Sequence, residues 1–126
     1  MTHIQIQTYL SEYHPAIAKE DEDRLRSQPC TTHVVDSVLS RARILDTEPW
    51  QHRLIVIIST FLLCSPETIF TTCAVRKGVA STLARSLGVS QQAVSKKVEQ
   101  ARHYYAHVLA IRETVDKIVK EVRGNG

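Results

Sequence analysis

The segment from Val89 to Arg123 contains neither glycine nor proline, and its apolar residues recur at helical spacing. They fall at 94, 98, 101, 105 and 108, and then at 111, 115, 118 and 122. Steps of three and four residues place side chains on one face of a helix, in a heptad-like pattern. The single three-residue skip between Val108 and Ile111 is compatible with one continuous helix, a kink, or a turn between two helices.

An apolar seam of this kind is typical of helices that pair with a second copy. We therefore expect residues 101–126 to hold a dimerisation helix, or two helices, followed by a loose tail. The predicted dimerisation residues are Tyr105, Val108, Ile111, Val115, Ile118 and Val122. Tyr105 lies on the apolar register, which favours packing over base stacking for its ring.

Helical patterns also precede this segment. Val34, Val35, Val38, Leu39 and Ile44 lie largely on one stripe of a helix that starts near Thr32. Pro49 suits a first helical turn, and the apolar residues from Trp50 to Leu62 recur at steps of three and four, which predicts a central core helix. Because Ile55-Val-Ile-Ile58 is rich in β-branched residues, a buried strand is the alternative for that stretch.

Weaker signals surround these elements. Ser65-Pro66-Glu67 is typical of a helix start and predicts a short helix over roughly 66–75, with Cys73 on its buried stripe. Near the amino terminus, Ile4, Ile6, Tyr9 and Leu10 are weakly helical, and an acidic run, Glu20-Asp-Glu-Asp23, follows them.

A chain of 126 residues with 43% hydrophobic residues can bury a real core as one compact unit. The patterns predict an all-α fold: a helical domain that contains a helix-turn-helix and is followed by a long C-terminal helix. Three regions are distinguished within it. Residues 1–64 are expected to form a helical N-terminal region that either contributes to the core or binds a partner protein. Residues 65–100 are expected to hold the helix-turn-helix, and residues 101–126 the dimerisation helix and the loose tail.

The charge is unevenly distributed. Residues 1–64 hold six Lys or Arg against eight Asp or Glu, whereas residues 65–126 hold ten against five. From Arg76 to Lys97 there are five basic residues and no acidic one. A concentrated basic patch is expected of a protein that binds a polyanion, and a solvated basic face is the alternative.

The stretch LGVSQQAVSKKV, Leu87 to Val98, lies within that basic segment. A helix-turn-helix needs a small residue where its helices cross, a residue tolerant of positive φ in the turn, and apolar residues that fix the second helix. Ala84, Gly88 and Val94 supply these parts, and Ser90 is a suitable N-cap for the second helix.

With Val94 and Val98 turned inward, the polar side chains of the second helix would project outward. Gln can bond adenine through two hydrogen bonds, Ser can bond bases or phosphate, and Lys can reach guanine. We predict that Gln91, Gln92, Ser95 and Lys96 read bases. We predict that Arg76, Lys77, Arg85 and Lys97 contact phosphates.

This stretch resembles the helix-turn-helix of phage Cro-type repressors. The longer run TLARSLGVSQQAVSKKV, residues 82–98, also looks like the plasmid-borne TrfB/KorA-type transcriptional repressors. The TrfB/KorA-type repressors are dimeric all-helical proteins with a basic helix-turn-helix, and either likeness covers only these residues. It implies a repressor in which Gln91, Gln92, Ser95 and Lys96 contact bases.

Other functional classes have less support. His103 and His107 are four residues apart, and Cys30 and His33 have ligand-like spacing, but neither pair has the further ligands of a metal site. Cys64 and Cys73 are interpreted as small buried residues, and the odd number of cysteines fits reduced thiols. No catalytic motif is found, so we expect neither an enzyme nor a cofactor.

The apolar run Leu54–Cys64 is too short to span a bilayer, and the first residues do not match a secretory signal. We therefore expect a cytoplasmic homodimer that binds double-stranded DNA and acts as a transcriptional regulator, most simply a repressor. Within DNA binding, the alternatives are a plasmid or phage maintenance factor and a sigma-region-4-like promoter contact. Outside it, the alternative is a regulator that acts through protein contacts.

Overall fold

The computed structural model describes residues 28–125, and no strand occurs among them. Its helices are α1 (Thr32–Ala42), α2 (Pro49–Cys64), α3 (Pro66–Phe70), α4 (Val79–Leu87), α5 (Gln91–Ser95), α6 (Val98–His107) and α7 (Leu109–Asn125). The prediction of an all-α fold with a long C-terminal helix is confirmed. The patterns noted at residues 4–10 and 20–23 lie outside the described residues.

Helix α2 lies at the centre of the core. Pro49 occupies its first turn, where a missing N–H costs no helical hydrogen bond, and every residue from Leu54 to Cys64 is buried. Helices α1, α3, α4, α6 and α7 all pack against it. A helix that is apolar on all sides must be covered by neighbouring elements, as this one is. The prediction of a central core helix is therefore confirmed, and the strand alternative is wrong.

Helix α1 covers one side of α2. The Thr31 hydroxyl caps its amino end by accepting a hydrogen bond from the Val34 N–H at 3.3 Å. Val35 and Val38 are fully buried, as their stripe predicts. Ile44 is instead 87% exposed, because the helix ends at Ala42 and Ile44 no longer shares its face.

Helix α3 ends at Phe70 rather than near residue 75. Thr71 adopts an extended backbone, its hydroxyl donates to the Glu67 carbonyl at 2.7 Å, and the same oxygen accepts from the Cys73 N–H at 3.1 Å. A threonine that satisfies the last turn in this way competes with helix continuation. Cys73 is therefore half-buried in a loop and does not lie on a buried helical stripe.

Arg102 fixes that loop to α6. Its guanidinium donates to the Cys73 carbonyl at 2.9 Å through Nη2 and to the Glu99 carboxylate at 2.7 Å through Nη1. Its Nε donates to the Thr68 carbonyl. The Arg102 side chain thus satisfies one carbonyl near the end of α3 and one in the loop after it. These bonds join the loop to α6, about 30 residues later in the chain.

The helical run that follows Ser90 is interrupted twice. A tight turn at Lys96 and Lys97 separates α5 from α6, and Val108, with φ −112° and ψ 98°, separates α6 from α7. The skip at Val108 therefore marks a turn between two helices. The Tyr105 hydroxyl donates to Asp116 Oδ1 at 2.6 Å and joins α6 to α7 across this break.

The apolar seam predicted to form a dimer is occupied within the protomer. Its residues Tyr105, Ile111, Val115, Ile118 and Val122 are buried, and Val108 is partly buried against the same core. The reason is that α7 packs along α1 and α2 of its own chain. The assignment of these side chains to a dimer interface is therefore corrected: heptad-like spacing is equally the signature of one helix face on a core.

The described parts of all three predicted regions contribute to one hydrophobic core. Val38 comes from the first region, Leu83 and Val94 from the second, and Val115 from the third, and each is essentially inaccessible to solvent. Within residues 28–125, none of the helices combines the length and apolar character that crossing a membrane requires.

Candidate nucleic-acid interface

The candidate interface is built on α4, α5 and the turn between them. Gly88 ends α4 with φ 70°, and its N–H donates to the carbonyls of Ala84 and Arg85. The Val89 N–H donates to the Ala84 carbonyl at 3.0 Å. These bonds satisfy carbonyls that the helix end leaves open, and the left-handed conformation favours glycine. The predicted positive-φ turn at Gly88 is confirmed.

Ser90 starts α5 as predicted. Its backbone is extended, with φ −76° and ψ 156°, and its hydroxyl accepts a hydrogen bond from the Ala93 N–H at 3.1 Å. Helix α5 is only five residues long. The Lys97 N–H then donates to the Val94 carbonyl at 3.0 Å, so the chain turns tightly before α6 begins. The polar side chains therefore project from little more than one helical turn.

Val94 attaches α5 to the core. Its side chain is 1% exposed and belongs to the same cluster as Leu83 and Ala84 of α4. Val89 and Val98, on either side, are partly buried against that cluster. This arrangement orients α5, because one face of so short a helix is held by apolar contacts while the other is left to solvent.

All four predicted base-reading side chains lie on the solvent side: Gln91, Gln92, Ser95 and Lys96 are exposed. Gln91 and Ser95 are four residues apart, as are Gln92 and Lys96, so they form two neighbouring pairs along the helix surface. The structure thus brings together amide, hydroxyl and ammonium groups that can donate and accept hydrogen bonds.

The predicted phosphate contacts divide into two groups. Lys77, Arg85 and Lys97 are exposed: Lys77 lies before α4, Arg85 on α4, and Lys97 at the turn after α5. Arg76 is exposed as well, but its guanidinium is bonded to Glu67, with Nη2 3.0 Å from Oε2. Its backbone N–H also donates to the buried Ser65 hydroxyl at 3.1 Å. The structure therefore gives Arg76 a role in fixing this loop to α3.

A groove of about 340 Å³ adjoins the turn after α5. Its wall includes Lys97 from the turn after α5 and Gln100 from α6. Trp50 and Arg53, from the first turns of α2, line the other part. Trp50 is 48% exposed and makes an edge contact with Tyr104, with ring centroids 5.6 Å apart. Sequence reasoning missed Arg53 and Trp50 because they precede Lys97 by more than 40 residues and belong to a core helix.

The side chains weighed as metal ligands form no such site in the described part of the chain. His103 and His107 share one face of α6, with ring centroids 4.9 Å apart. No group of three or more His, Cys, Asp or Glu side chains suited to a metal ion occurs among residues 28–125. The His pair therefore contributes ring packing on the surface of α6.

Comparison with known proteins adds no relative: the chain matches no family model, no curated protein and no solved structure.

Proposed function

We propose that this chain is a sequence-specific regulator that binds double-stranded DNA, with α4 and α5 acting as a helix-turn-helix. The observation that carries the proposal is the solvent face of α5. Gln91, Gln92 and Ser95 are exposed on a helix whose opposite side is held by buried Val94. Lys96, also exposed, caps the carboxyl end of that helix. Recognition of base edges needs hydrogen-bonding side chains that project from a helix of fixed orientation. The sequence from Arg76 to Lys97 also contains no acidic residue that would repel phosphates.

In this proposal α5 lies in the major groove and its side chains discriminate bases. Each Gln offers an amide that can pair with adenine through two hydrogen bonds, and Lys96 can reach the acceptors of guanine. Each good pair of this kind distinguishes the right base from the wrong one by about 1–3 kcal/mol. Ser95 can bond a base edge or a phosphate.

The basic residues around α5 supply affinity without choosing sequence. Lys77 and Arg85 are placed on the α4 side and Lys97 on the α6 side, so phosphates could be contacted on both sides of the reading helix. Each phosphate that the protein neutralises releases counterions. A plot of the logarithm of the binding constant against the logarithm of the salt concentration therefore becomes steeper by about 0.9 for each such contact.

The regulator is proposed to act in the cytoplasm as a homodimer that reads an inverted repeat. Its half-sites would lie about 10 bp apart or a multiple of that. The dimer contact would use a surface other than the core face of α7, since Ile111, Val115 and Ile118 are buried in the protomer. Repression by occluding a promoter is the simplest outcome for such a protein.

A pair of variants tests the assignment of roles. Lys77→Ala should weaken binding about equally on all duplexes and flatten the salt dependence, whereas Gln92→Ala should reduce the preference for the selected duplex. Fluorescence anisotropy on selected and scrambled duplexes, at several salt concentrations, measures both effects. Uniform loss of affinity by both variants would show that Gln92 does not read bases. If the protein instead acts by binding an acidic partner protein, Gln91→Ala and Gln92→Ala should be nearly silent in that interaction.

A further inference from the structure

Two cysteines that are distant in sequence meet at the carboxyl end of α2. The Gln28 N–H donates to the Leu63 carbonyl at 2.9 Å, which ties the segment before α1 to the last turn of α2. Cys64 ends α2 and is buried, while Cys30 lies on the tied segment and is half-buried. Both residues line one cavity of about 360 Å³. Local backbone bonding therefore holds the two thiols at a common, partly open site.

The two thiols also interact directly. The Cys64 thiol forms a hydrogen bond with the sulfur of Cys30, which lowers the pKa of Cys30 and raises the pKa of Cys64. The hydrogen bond favours a thiolate at Cys30, and the thiolate is the form that reacts with oxidants. Cys30 is therefore the more accessible and more reactive of the two, and the Cys64 thiol lies beside it.

We propose that Cys30 and Cys64 form a reversible intramolecular disulfide when a hydroperoxide oxidises Cys30. In the first step the Cys30 thiolate attacks hydrogen peroxide, the O–O bond breaks, and with one proton the products are a sulfenic acid and water. In the second step the Cys64 sulfur attacks that sulfenic acid, the S–O bond breaks, and a second water leaves with the Cys64 proton. Two thiols are oxidised and one peroxide is reduced.

The position of the pair suits a covalent link across the fold. The bond would join the segment before α1 to the end of α2 and so close a loop that contains all of α1. A crosslink over a loop of this length reduces the conformational freedom of the unfolded chain and stabilises the folded one. Cys73, the remaining cysteine, is the control. The Thr71 hydroxyl lowers the pKa of its thiol as well, but Cys73 lies in the loop after α3 and does not line the cavity that Cys30 and Cys64 share.

Peptide mapping of the full-length protein tests the link. Reduced protein is treated with an equimolar amount of hydrogen peroxide, remaining thiols are alkylated, and the chain is digested without reductant. Trypsin releases Cys30 on residues 27–41, but Cys64 and Cys73 together on residues 54–76. A glutamate-specific protease then cuts after Glu67 and separates these two cysteines.

We expect residues 27–41 to be joined to residues 54–67 in a species two hydrogens lighter than the sum of the two peptides. Cys73 should be alkylated and lie on its own peptide. Dithiothreitol should abolish the joined species. A link to Cys73, a link between two chains, or a Cys30 sulfinic acid without any link would overturn the proposal.

Thermal unfolding gives a second readout that does not depend on mapping. Oxidised wild-type protein should melt about 5 °C or more above the reduced form. Cys73→Ser should keep this difference and Cys30→Ser should lose it, with circular dichroism showing that both variants are folded. Coincident melting curves for the oxidised and reduced wild-type protein would contradict the link.

Discussion

The guanidinium of Arg76 donates two hydrogen bonds to the carboxylate of Glu67, with Nη2 3.0 Å from Oε2. The Glu67 side chain is 12% exposed, so the pair is largely screened from water on the carboxylate side. Glu67 lies in the first turn of α3, and Arg76 lies shortly before α4. The ion pair therefore ties the exposed Arg76 side chain to α3, just before the candidate interface begins.

Arg76→Ala should lower the free energy of unfolding by about 1–2 kcal/mol, because Glu67 is left partly buried without its charged partner. The folded variant should keep the wild-type salt dependence of duplex binding. Lys77→Ala is the matched control and should show the reverse pattern, with little change in stability and a flatter salt dependence. Urea denaturation and binding titrations at several salt concentrations measure the two quantities. Equal flattening by both variants would place Arg76 on a phosphate.

Gly88→Ala should destabilise the protein by about 1–2 kcal/mol through backbone strain. Its φ of 70° is unfavourable for alanine, although the added Cβ would meet nothing within 4 Å. Asn tolerates this conformation better, so Gly88→Asn should cost less than Gly88→Ala. Gly124→Ala, in α7, serves as a control that should cost nothing, since alanine is the better helix former. Urea denaturation gives all three values, and equal stability of Gly88→Ala and wild type would contradict the account.

Ile118→Ala should cost about 2–5 kcal/mol of stability at any protein concentration, because Ile118 is 3% exposed in the protomer core. Lys120→Ala, at an exposed position of the same helix, should change stability by less than about 0.5 kcal/mol. The double variant Ile111→Glu with Ile118→Glu should unfold the protein rather than release folded monomers. Circular dichroism combined with sedimentation separates these outcomes, and folded monomers would restore the seam as a dimer contact.

Arg53 shares a groove with Lys97, so we expect it to contact one phosphate. Arg53→Ala should therefore reduce the slope of duplex binding against salt concentration by about 0.9. Arg43→Ala, an exposed arginine just after α1, is the control and should leave the slope unchanged. Trp50 lines the same groove and is the single tryptophan of the chain, so its fluorescence should change when duplex binds. A slope that responds equally to both arginines would exclude a specific contact at the groove.

Local signals in the sequence predicted much of the fold. The structure confirms three such signals: the apolar stripe of α1, Pro49 at the start of α2, and the turn from Gly88 to Ser90. Each of them acts over only a few residues. The exposed side chains of α5 follow from the burial of Val94 by the same logic. Periodicity and capping are therefore sufficient for elements whose cause is local.

Features that depend on distant contacts were not predictable. The spacing from Tyr105 to Val122 indicates a buried face, but it does not say whether a second chain or the same chain covers it. The pairing of Arg76 with Glu67 depends on how the loop after α3 folds back, and Arg102 bonds carbonyls about 30 residues away. Cys30 and Cys64 likewise lie together where a backbone hydrogen bond from Gln28 to Leu63 joins two distant parts of the chain.

Base reading by α5 is tested most directly by selecting, from a random pool, the duplexes that the purified protein binds at two salt concentrations, and sequencing them. We expect enrichment of a defined half-site, repeated in inverted orientation, with total binding weaker at the higher salt. Gln92→Ala should bind the same pool with reduced enrichment. Salt-sensitive binding without any enriched sequence would contradict base reading by α5, and no binding at low salt would contradict DNA binding altogether.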